Sequence, residues 1–227
     1  MNTANSNDSI LSLHEVGVYY SKRVRLLKQE KFWPLKNISL SVCKGESVGV
    51  IGRNGAGKST LMRLLAGIIL PDHGTIVRNC DRITLLALSA GFAPHLTGRE
   101  NAIINGILLG LSYREIQDRL DDIIEFSELS EFFDRPFKTY SSGMRSRLGF
   151  STAIQIKPDV LLIDETFAVG DEEFRKKSGA KMREIIKSNR TIIFVSHIMP
   201  LVSSLASRVV WVENGVIVAD GDPDLSL

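Results

Sequence analysis

Runs of apolar residues along the chain predict short strands of two kinds. Residues 38–42 alternate between apolar and polar side chains, which is typical of a strand with one buried face. Residues 48–51, 160–163 and 191–195 are instead continuously apolar, or nearly so, and rich in β-branched side chains. Runs of that kind predict strands that are buried on both faces, as in a parallel sheet.

Helical patterns lie between these strands. Residues 59–65 predict a helix that stops near Gly67, and residues 97–128 predict an amphipathic helical stretch. Within that stretch, residues 112–115 fit a capping box. Near the end of the chain, Glu213-Asn214-Gly215 separates two apolar runs and indicates a hairpin. Strands and helices in this order predict an α/β fold, with the helical region at about 97–155 as a candidate subdomain.

The composition is compatible with one sizeable α/β domain and excludes several classes of protein. The chain has 227 residues, of which 44% are apolar and 24% charged, and a net charge of +2, which argues for neither nucleic acid nor an acidic ligand. Cys43 and Cys80 do not form a disulfide or zinc pattern. We identify no signal peptide and no apolar run of membrane-spanning length, so we expect a cytosolic protein.

Residues 52–59 match the phosphate-binding P-loop pattern at every fixed position, between a predicted buried strand and a predicted helix. Glycines let backbone N–H groups curl around an anion, and a helix N-terminus adds further donors. We expect Lys58 to reach the β- and γ-phosphates of ATP, Ser59 to bind Mg²⁺ and Thr60 to lie near the α-phosphate. The complete pattern disfavours a plain glycine-rich turn. The expected nucleotide-binding residues are Gly52, Arg53, Asn54, Gly55, Ala56, Gly57, Lys58, Ser59 and Thr60.

Polar residues follow two of the predicted buried strands. Asp164 and Glu165 come directly after residues 160–163, at the strand end where ligands bind to parallel sheets. We expect Asp164 to hold Mg²⁺ and Glu165 to polarise an attacking water as general base. His197 follows the next strand and is expected near the γ-phosphate. A lone histidine there is more often structural, but its order after the P-loop and the acidic pair favours a catalytic role, with Lys58 and Glu165.

A fourth segment, Tyr140-Ser141-Ser142-Gly143-Met144, precedes a helical pattern. The order of the P-loop, this segment, the acidic pair, residues 168–171 and residues 196–197 resembles ABC-transporter ATPase domains, over about residues 10–222. The family's usual signature is Leu-Ser-Gly-Gly-Gln, of which this chain keeps Ser141 and Gly143. The resemblance implies a P-loop NTPase fold with a RecA-like α/β core, an antiparallel β subdomain and a helical subdomain.

The resemblance also implies roles for residues outside the P-loop. Ser141 and Gly143 are expected to contact the γ-phosphate of ATP on the opposing subunit of a homodimer, although a plain N-capped helix is the alternative. Asp171 is expected in a loop that crosses the dimer interface. Tyr20 is expected to stack on adenine, with Tyr19 as a rival. The family's Q-loop glutamine has no counterpart, because residues 85–92 contain no glutamine.

Several segments are more similar to one branch of the family, the ATPase subunits of bacterial polysaccharide exporters. These segments include residues 90–101, 138–145 and 164–171. The branch implies export of lipid-linked O-antigen, capsule or teichoic acid by an ATPase that lies on the cytoplasmic face of the inner membrane, bound to an integral-membrane permease. The basic residues within 21–33 belong either to a solvated loop or to a contact with anionic lipid headgroups.

Other interpretations remain to be compared with this one. The chain could be an ABC ATPase for another exported substrate, or a soluble ABC ATPase outside transport; a P-loop kinase would not need the signature. We expect a single ABC ATPase domain over residues 1–227 without the C-terminal carbohydrate-binding domain of some exporters, and no nucleic-acid partner.

Overall fold

A computed structural model describes residues 9–25, 28–86, 91–164 and 169–223, without the side chains of 22–25 and 28–29. The chain divides into two compact units, unit 1 with residues 1–83, 159–165 and 186–227, and unit 2 with residues 84–158 and 166–185. The strands are β1 (Ser9–Arg25), β2 (Lys28–Cys43), β3 (Ser47–Ile51), β4 (His73–Arg78), β5 (Ile83–Leu85), β6 (Val160–Asp164), β7 (Thr191–Val195), β8 (Arg208–Glu213) and β9 (Val216–Gly221). The helices are α1 (Lys58–Leu65), α2 (Gly98–Leu108), α3 (Tyr113–Gln117), α4 (Leu120–Ser127), α5 (Ser142–Ala153), α6 (Glu172–Lys187) and α7 (Met199–Leu205).

The larger sheet has six strands in the order β5-β6-β7-β3-β8-β9, and all of them except β5 lie wholly in unit 1. The pairs β6/β7, β7/β3 and β3/β8 are parallel, and β9 is antiparallel to β8. Every residue of β3 and β7 is buried, which confirms the strands predicted from continuous apolar runs. Because β6, β7 and β3 are parallel neighbours, the residues that follow them lie at one edge of the sheet, where α/β proteins bind their ligands.

A second sheet of three antiparallel strands, in the order β2-β1-β4, belongs to the same unit. The alternation predicted for residues 38–42 is confirmed, since Ile38 and Val42 are fully buried while Ser39 and Ser41 are exposed. Backbone pairing continues from Tyr20 and Phe32 out to Arg25 and Lys28. Residues 21–25 and 28–33 are therefore strand and not the loop that we considered. The proposed lipid contact of their basic side chains, most of which lie outside the described part, stays a prediction.

The hairpin predicted near the end of the chain is confirmed, and it joins β8 to β9. Glu213 pairs with Val216, and the two residues between them, Asn214 and Gly215, have φ of 50° and 80°. Two consecutive left-handed residues make a type I′ turn, whose twist matches that of the strands and which asparagine and glycine tolerate best. Gly215 also accepts a hydrogen bond from Lys36 N–H at 2.7 Å, which attaches the hairpin to β2.

Unit 2 packs helices α2 to α5 against one another. The predicted helical stretch over residues 97–128 is not continuous, because it comprises α2, α3 and α4. Gly110 has φ +100°, a conformation that ends a helix, and Ser112 then starts a new one. The capping box is confirmed, since the Ser112 hydroxyl accepts from Glu115 N–H and the Glu115 carboxylate accepts from Ser112 N–H. A second capping box, which we did not predict, joins Thr97 and Glu100.

Candidate functional site

The loop between β3 and α1 has a backbone that requires glycine at two points of close approach. Gly52 and Gly57 have φ of +147° and +110°. A Cβ atom on Gly52 would lie 2.0 Å from the Val212 carbonyl oxygen, and one on Gly57 would lie 2.3 Å from the Pro34 carbonyl oxygen. The P-loop is thus pressed against strands β2 and β8, and these contacts fix its shape.

Gly55 differs from these two glycines, although its φ of +81° is also left-handed. No atom lies within 4 Å of the position that its Cβ would occupy. A glycine that faces open space lets an anion approach the backbone closely, which is the role expected of it in a phosphate-binding loop.

Lys58 is held inside the loop. Its side chain is 5% exposed, and its ammonium group donates to the carbonyl oxygens of Gly52 at 2.8 Å and Arg53 at 3.0 Å. A buried cation must be paired with acceptors, and the loop supplies them through its own backbone. The ammonium therefore lies within the curl of the loop, where it can meet the phosphates of a bound nucleotide.

A cavity of about 440 Å³ adjoins this loop. It is polar where the loop and the start of α1 line it, and aromatic where β1 and β2 do. Among the predicted P-loop residues, three shape the loop through their backbone and do not line the cavity: Gly52, Arg53 and Ala56. The residues that line it are Tyr20, Phe32, Pro34, Asn54, Gly55, Gly57, Lys58, Ser59 and Thr60.

Tyr20, and not Tyr19, faces this cavity. Tyr19 points to the other side of β1, where its ring lies 5.0 Å from that of Trp33 and under the ammonium of Lys31. Tyr20 is 43% exposed and lines the cavity together with its cross-strand partner Phe32. Sequence reasoning missed Phe32, because its position depends on a hairpin register that the chain does not reveal.

Asp164 ends β6 with one oxygen of its carboxylate unsatisfied. Its Oδ1 atom is buried and has no hydrogen-bond partner among the described residues. Buried polar atoms of this kind are rare in proteins, and carboxylate oxygens are the ligands that Mg²⁺ prefers. The residue therefore fits a bound cation. Glu165, the expected general base, lies outside the described residues.

His197 follows β7, which is the strand between β6 and β3. Asp164 of β6 and Val50 of β3 both pair with Val195 of β7, which lies two residues before His197. Ser196 is buried and accepts a hydrogen bond from Ile198 N–H at 3.1 Å, and His197 itself is exposed. The sheet order thus brings the P-loop, Asp164 and His197 to one edge of unit 1.

The signature residues belong to unit 2, at the start of α5. Ser141 is the N-cap, and its hydroxyl accepts from Met144 N–H at 3.1 Å. Tyr140, where the family has leucine, is 3% exposed and donates its hydroxyl to the Phe132 carbonyl at 2.8 Å. Burial raises the pKa of Tyr140 to about 12. The residues that differ from the family's usual signature leave the helix N-terminus accessible, since Ser141 and Ser142 are exposed and Gly143 is half-buried.

Asp171 caps a helix and forms an ion pair, also within unit 2. Its Oδ1 accepts from Phe174 N–H at 3.0 Å, and Arg147 of the signature helix binds Oδ2. The hydrogen bond from Arg147, and then that from Phe174, holds the pKa of the Asp171 carboxyl below its usual range. The expected contact of Asp171 across a dimer interface stays a prediction. Sequence reasoning missed Arg147, since a lone arginine on a helix is usually solvated.

Of the helices in the described part of the chain, none has the length and apolarity that crossing a membrane requires. Residues 85–92, where the family's glutamine is missing, are described only in part, because 87–90 lie outside the described residues.

Comparison with known proteins supplies a family and a fold. The sequence profile of the family described as ABC transporter matches residues 35–168. The chain is 50% identical, over 87% of its length and 80% of the relative's, to the O-antigen export system ATP-binding protein RfbB of Klebsiella pneumoniae. It is 46% identical, over 87% of its length but only 42% of the relative's, to the teichoic acids export ATP-binding protein TagH of Lactococcus lactis subsp. lactis.

Solved structures agree on the fold. The dimeric ATP-binding cassette MJ0796 in a post-hydrolysis state with ADP and Pi superposes with a TM-score of 0.74 at 22% identity, over 94% of this chain and 98% of that one. An ATP-binding subunit of an ABC transporter superposes equally well, with a TM-score of 0.74 at 23% identity, over 95% and 91%. The expected fold class is confirmed, and with the family match it shows that this chain belongs to the ABC transporter family as an ATPase subunit.

Proposed function

We propose that the chain is the ATP-hydrolysing subunit of an exporter that moves a lipid-linked cell-surface polysaccharide, such as O-antigen, capsule or teichoic acid, across the cytoplasmic membrane. The observation that carries this proposal is the 50% identity to a protein named for O-antigen export, over 80% of that protein. Relatives named for teichoic acid export match at 46% and 45%. Two glycan classes among the relatives favour a shared task in polysaccharide export.

We assign the nucleotide chemistry to the edge of the sheet in unit 1. The P-loop backbone and Lys58 bind the phosphates, because the Lys58 ammonium is held inside the loop and the loop lines the cavity. Ser59 and Asp164 would hold Mg²⁺, which neutralises charge on the phosphate oxygens. Glu165 takes a proton from the attacking water, and His197 orients that water beside the γ-phosphate.

We further propose that a second copy of the chain completes each ATP site. Ser141 and Gly143 stand at the exposed N-terminus of α5, a helix of 12 residues, which offers N–H donors to an anion. The Ser141 hydroxyl still has a proton to donate, since its contact with Met144 uses only an acceptor position. A symmetric homodimer then holds two nucleotides, with the signature of each copy on the γ-phosphate of the other.

The dimer acts with an integral-membrane permease, and we place it at the cytoplasmic face of the inner membrane through that partner. Within the chain, we treat residues 1–227 as one ABC ATPase domain with a helical subdomain at about 97–155. We propose no nucleic-acid partner, because the net charge of +2 gives no general attraction to phosphate backbones.

The test is made in the cell that encodes the chain. The gene is deleted and complemented with the wild type, with Glu165→Gln, or with the control Glu131→Gln, which changes an exposed carboxylate of unit 2. We expect wild type and Glu131→Gln to restore surface polysaccharide. Glu165→Gln should leave lipid-linked polymer inside the cell.

A deletion that leaves the surface polysaccharide unchanged would contradict the export of a glycan. The ATPase assignment would stand in that case. The chain would then serve another exported substrate, or a soluble ABC ATPase function.

A further inference from the structure

Phe32 is an aromatic residue that the fold leaves largely exposed beside the P-loop. It leaves 59% of its surface exposed on β2, and Tyr20, directly opposite on β1, leaves 43% exposed. Within the described part of the chain, neither ring packs against another aromatic ring. Residues directly opposite in an antiparallel pair point to the same face, with their Cβ atoms about 5 Å apart. The two rings therefore stand side by side on one face of the β1–β2 hairpin, without stacking on each other, and together form an exposed aromatic surface.

This surface lies beside the P-loop. Both rings line the cavity that Lys58, Ser59 and Thr60 also line. The same two rings line a second hollow together with Glu30 and Lys31. A flat group placed on the rings would have the phosphate-binding loop at one end and Glu30 at the other.

The position of Phe32 relative to the loop is fixed by the fold. Two residues after it, the Pro34 carbonyl oxygen approaches so closely that a Cβ on Gly57 would lie 2.3 Å away. Leu35 Cδ2 would lie 3.0 Å from the same Cβ, and Lys36 N–H bonds to Gly215 O at 2.7 Å. Strand β2 is thus anchored on the loop, and the ring of Phe32 projects from an anchored strand.

We infer that Phe32 is a second nucleobase-binding residue, which forms with Tyr20 a two-ring surface for the flat face of a purine. The inference rests on the proposed function, in which the P-loop holds the phosphates of a nucleotide. Stacking needs only the π-face of a base, and a purine has a larger face than a pyrimidine, so it covers more of two adjacent rings. Phe32 therefore contributes to affinity and to the preference for purine nucleotides.

The test compares two ligands that share the phosphates and differ in the base. Binding of ATP and of inorganic tripolyphosphate to the full chain is measured by calorimetry, for wild type, Phe32→Ala, Phe32→Tyr and Tyr20→Ala. Loss of one base–aromatic stack should weaken ATP binding about tenfold in Phe32→Ala and leave tripolyphosphate binding unchanged. Phe32→Tyr, which keeps a ring, should bind ATP like wild type.

The control is Tyr113→Ala, which removes an aromatic ring that is 63% exposed on α3, outside this cavity. It should change neither affinity. A second measurement uses only the wild-type chain, so that no folding defect of a variant can affect it. Wild type should bind ATP several-fold more tightly than CTP.

Three results would overturn the inference. ATP affinity could be unchanged in Phe32→Ala while Tyr20→Ala weakens it, which would leave Phe32 without a role. ATP and tripolyphosphate could lose affinity equally, which would mean that the loop had been distorted. Equal affinity of wild type for ATP and CTP would exclude a purine surface. A wild type that binds neither ATP nor tripolyphosphate would instead refute the proposed function itself, so the two failures are distinguishable.

Discussion

Asp164 differs from its neighbours in the site because one of its buried atoms is unsatisfied. The Lys58 ammonium donates to two loop carbonyls and Ser196 accepts from Ile198 N–H, whereas Asp164 Oδ1 has no hydrogen-bond partner among the described residues. Leaving a buried acceptor unpaired costs stability in the protein without ligands. A cation at this position would remove that cost, which is why we propose Asp164 as a cation ligand.

Replacing Asp164 by asparagine should therefore separate stability from activity. In the presence of a chelator, we expect the free energy of unfolding to stay constant or to rise by roughly 1–3 kcal/mol, because an uncompensated carboxylate is removed. ATP hydrolysis should fall by about 100-fold or more, since an electrostatic group is lost from the transition state. Denaturant titration and phosphate release measure the two effects.

Glu131→Gln is the control for Asp164→Asn, and it should alter neither quantity because its side chain is exposed. The interpretation of Asp164 as a cation ligand would be refuted if Asp164→Asn hydrolysed ATP like wild type.

Among the secondary-structure elements, three helices of unit 2 are connected through Arg147 of α5. Its guanidinium contacts Glu128, the C-cap of α4, at 2.6 Å, and Asp171, which caps α6. It also lies 4.9 Å from the ring centre of Phe174 in α6. Lys177 adds a second cation to Glu128 at 2.7 Å. Arg147 thus holds α5, the helix that begins with the signature, to α4 and to α6.

This network predicts a particular dependence of stability on pH. Ion pairing with Lys177 and Arg147 lowers the pKa of Glu128, and pairing with Arg147 lowers that of Asp171. Carboxylates whose pKa is lower in the folded state add stability above their unfolded pKa and lose that contribution as pH falls through the folded value. Arg147→Ala should unfold at a lower temperature than wild type at neutral pH. The difference should shrink as pH falls below about 4.

Thermal unfolding followed by circular dichroism, from neutral to acidic pH, makes this measurement. Arg183→Ala, which removes an exposed arginine of α6, should follow wild type at every pH. If the deficit of Arg147→Ala were independent of pH, its contribution would come from packing on Phe174 and not from the carboxylates.

At the scale of the whole molecule, the candidate ATP-binding residues are divided between the two units. Tyr20, Lys58, Asp164 and His197 belong to unit 1, and Ser141, Gly143 and Asp171 belong to unit 2. The proposed homodimer combines the two sets across different copies of the chain. In this proposal, nucleotide that is bound by both copies would stabilise the closed dimer, and hydrolysis would remove that stabilisation.

Glu165→Gln should therefore trap a dimer filled with ATP, because nucleotide binds but is not hydrolysed. Sedimentation velocity should show a dimer with ATP and a monomer with ADP. Adding Ser141→Ala should weaken this dimer, since a donor to the γ-phosphate is lost. Lys58→Ala in the Glu165→Gln background should stay monomeric with ATP, and a dimer that forms equally without nucleotide would contradict the mechanism.

Local chemistry alone determined much of this protein. Continuous apolar runs predicted β3, β6 and β7, Glu213-Asn214-Gly215 predicted a hairpin, and Ser112 with Glu115 predicted a capping box, because each signal depends only on residues close in the chain. The P-loop pattern likewise depends only on glycines, a lysine and a serine within residues 52–59.

The tertiary structure alone decided what depends on contacts between distant residues. The pairing of β1 with β2 selected Tyr20 over Tyr19 and added Phe32 to the cavity, since one residue of register reverses the face of every side chain. The contacts of Arg147 with Glu128 and Asp171 came from helix packing. The order β6-β7-β3 brought Asp164 and His197 to the edge where the P-loop lies, because strand neighbours are chosen by burial across the whole sheet and not by sequence distance.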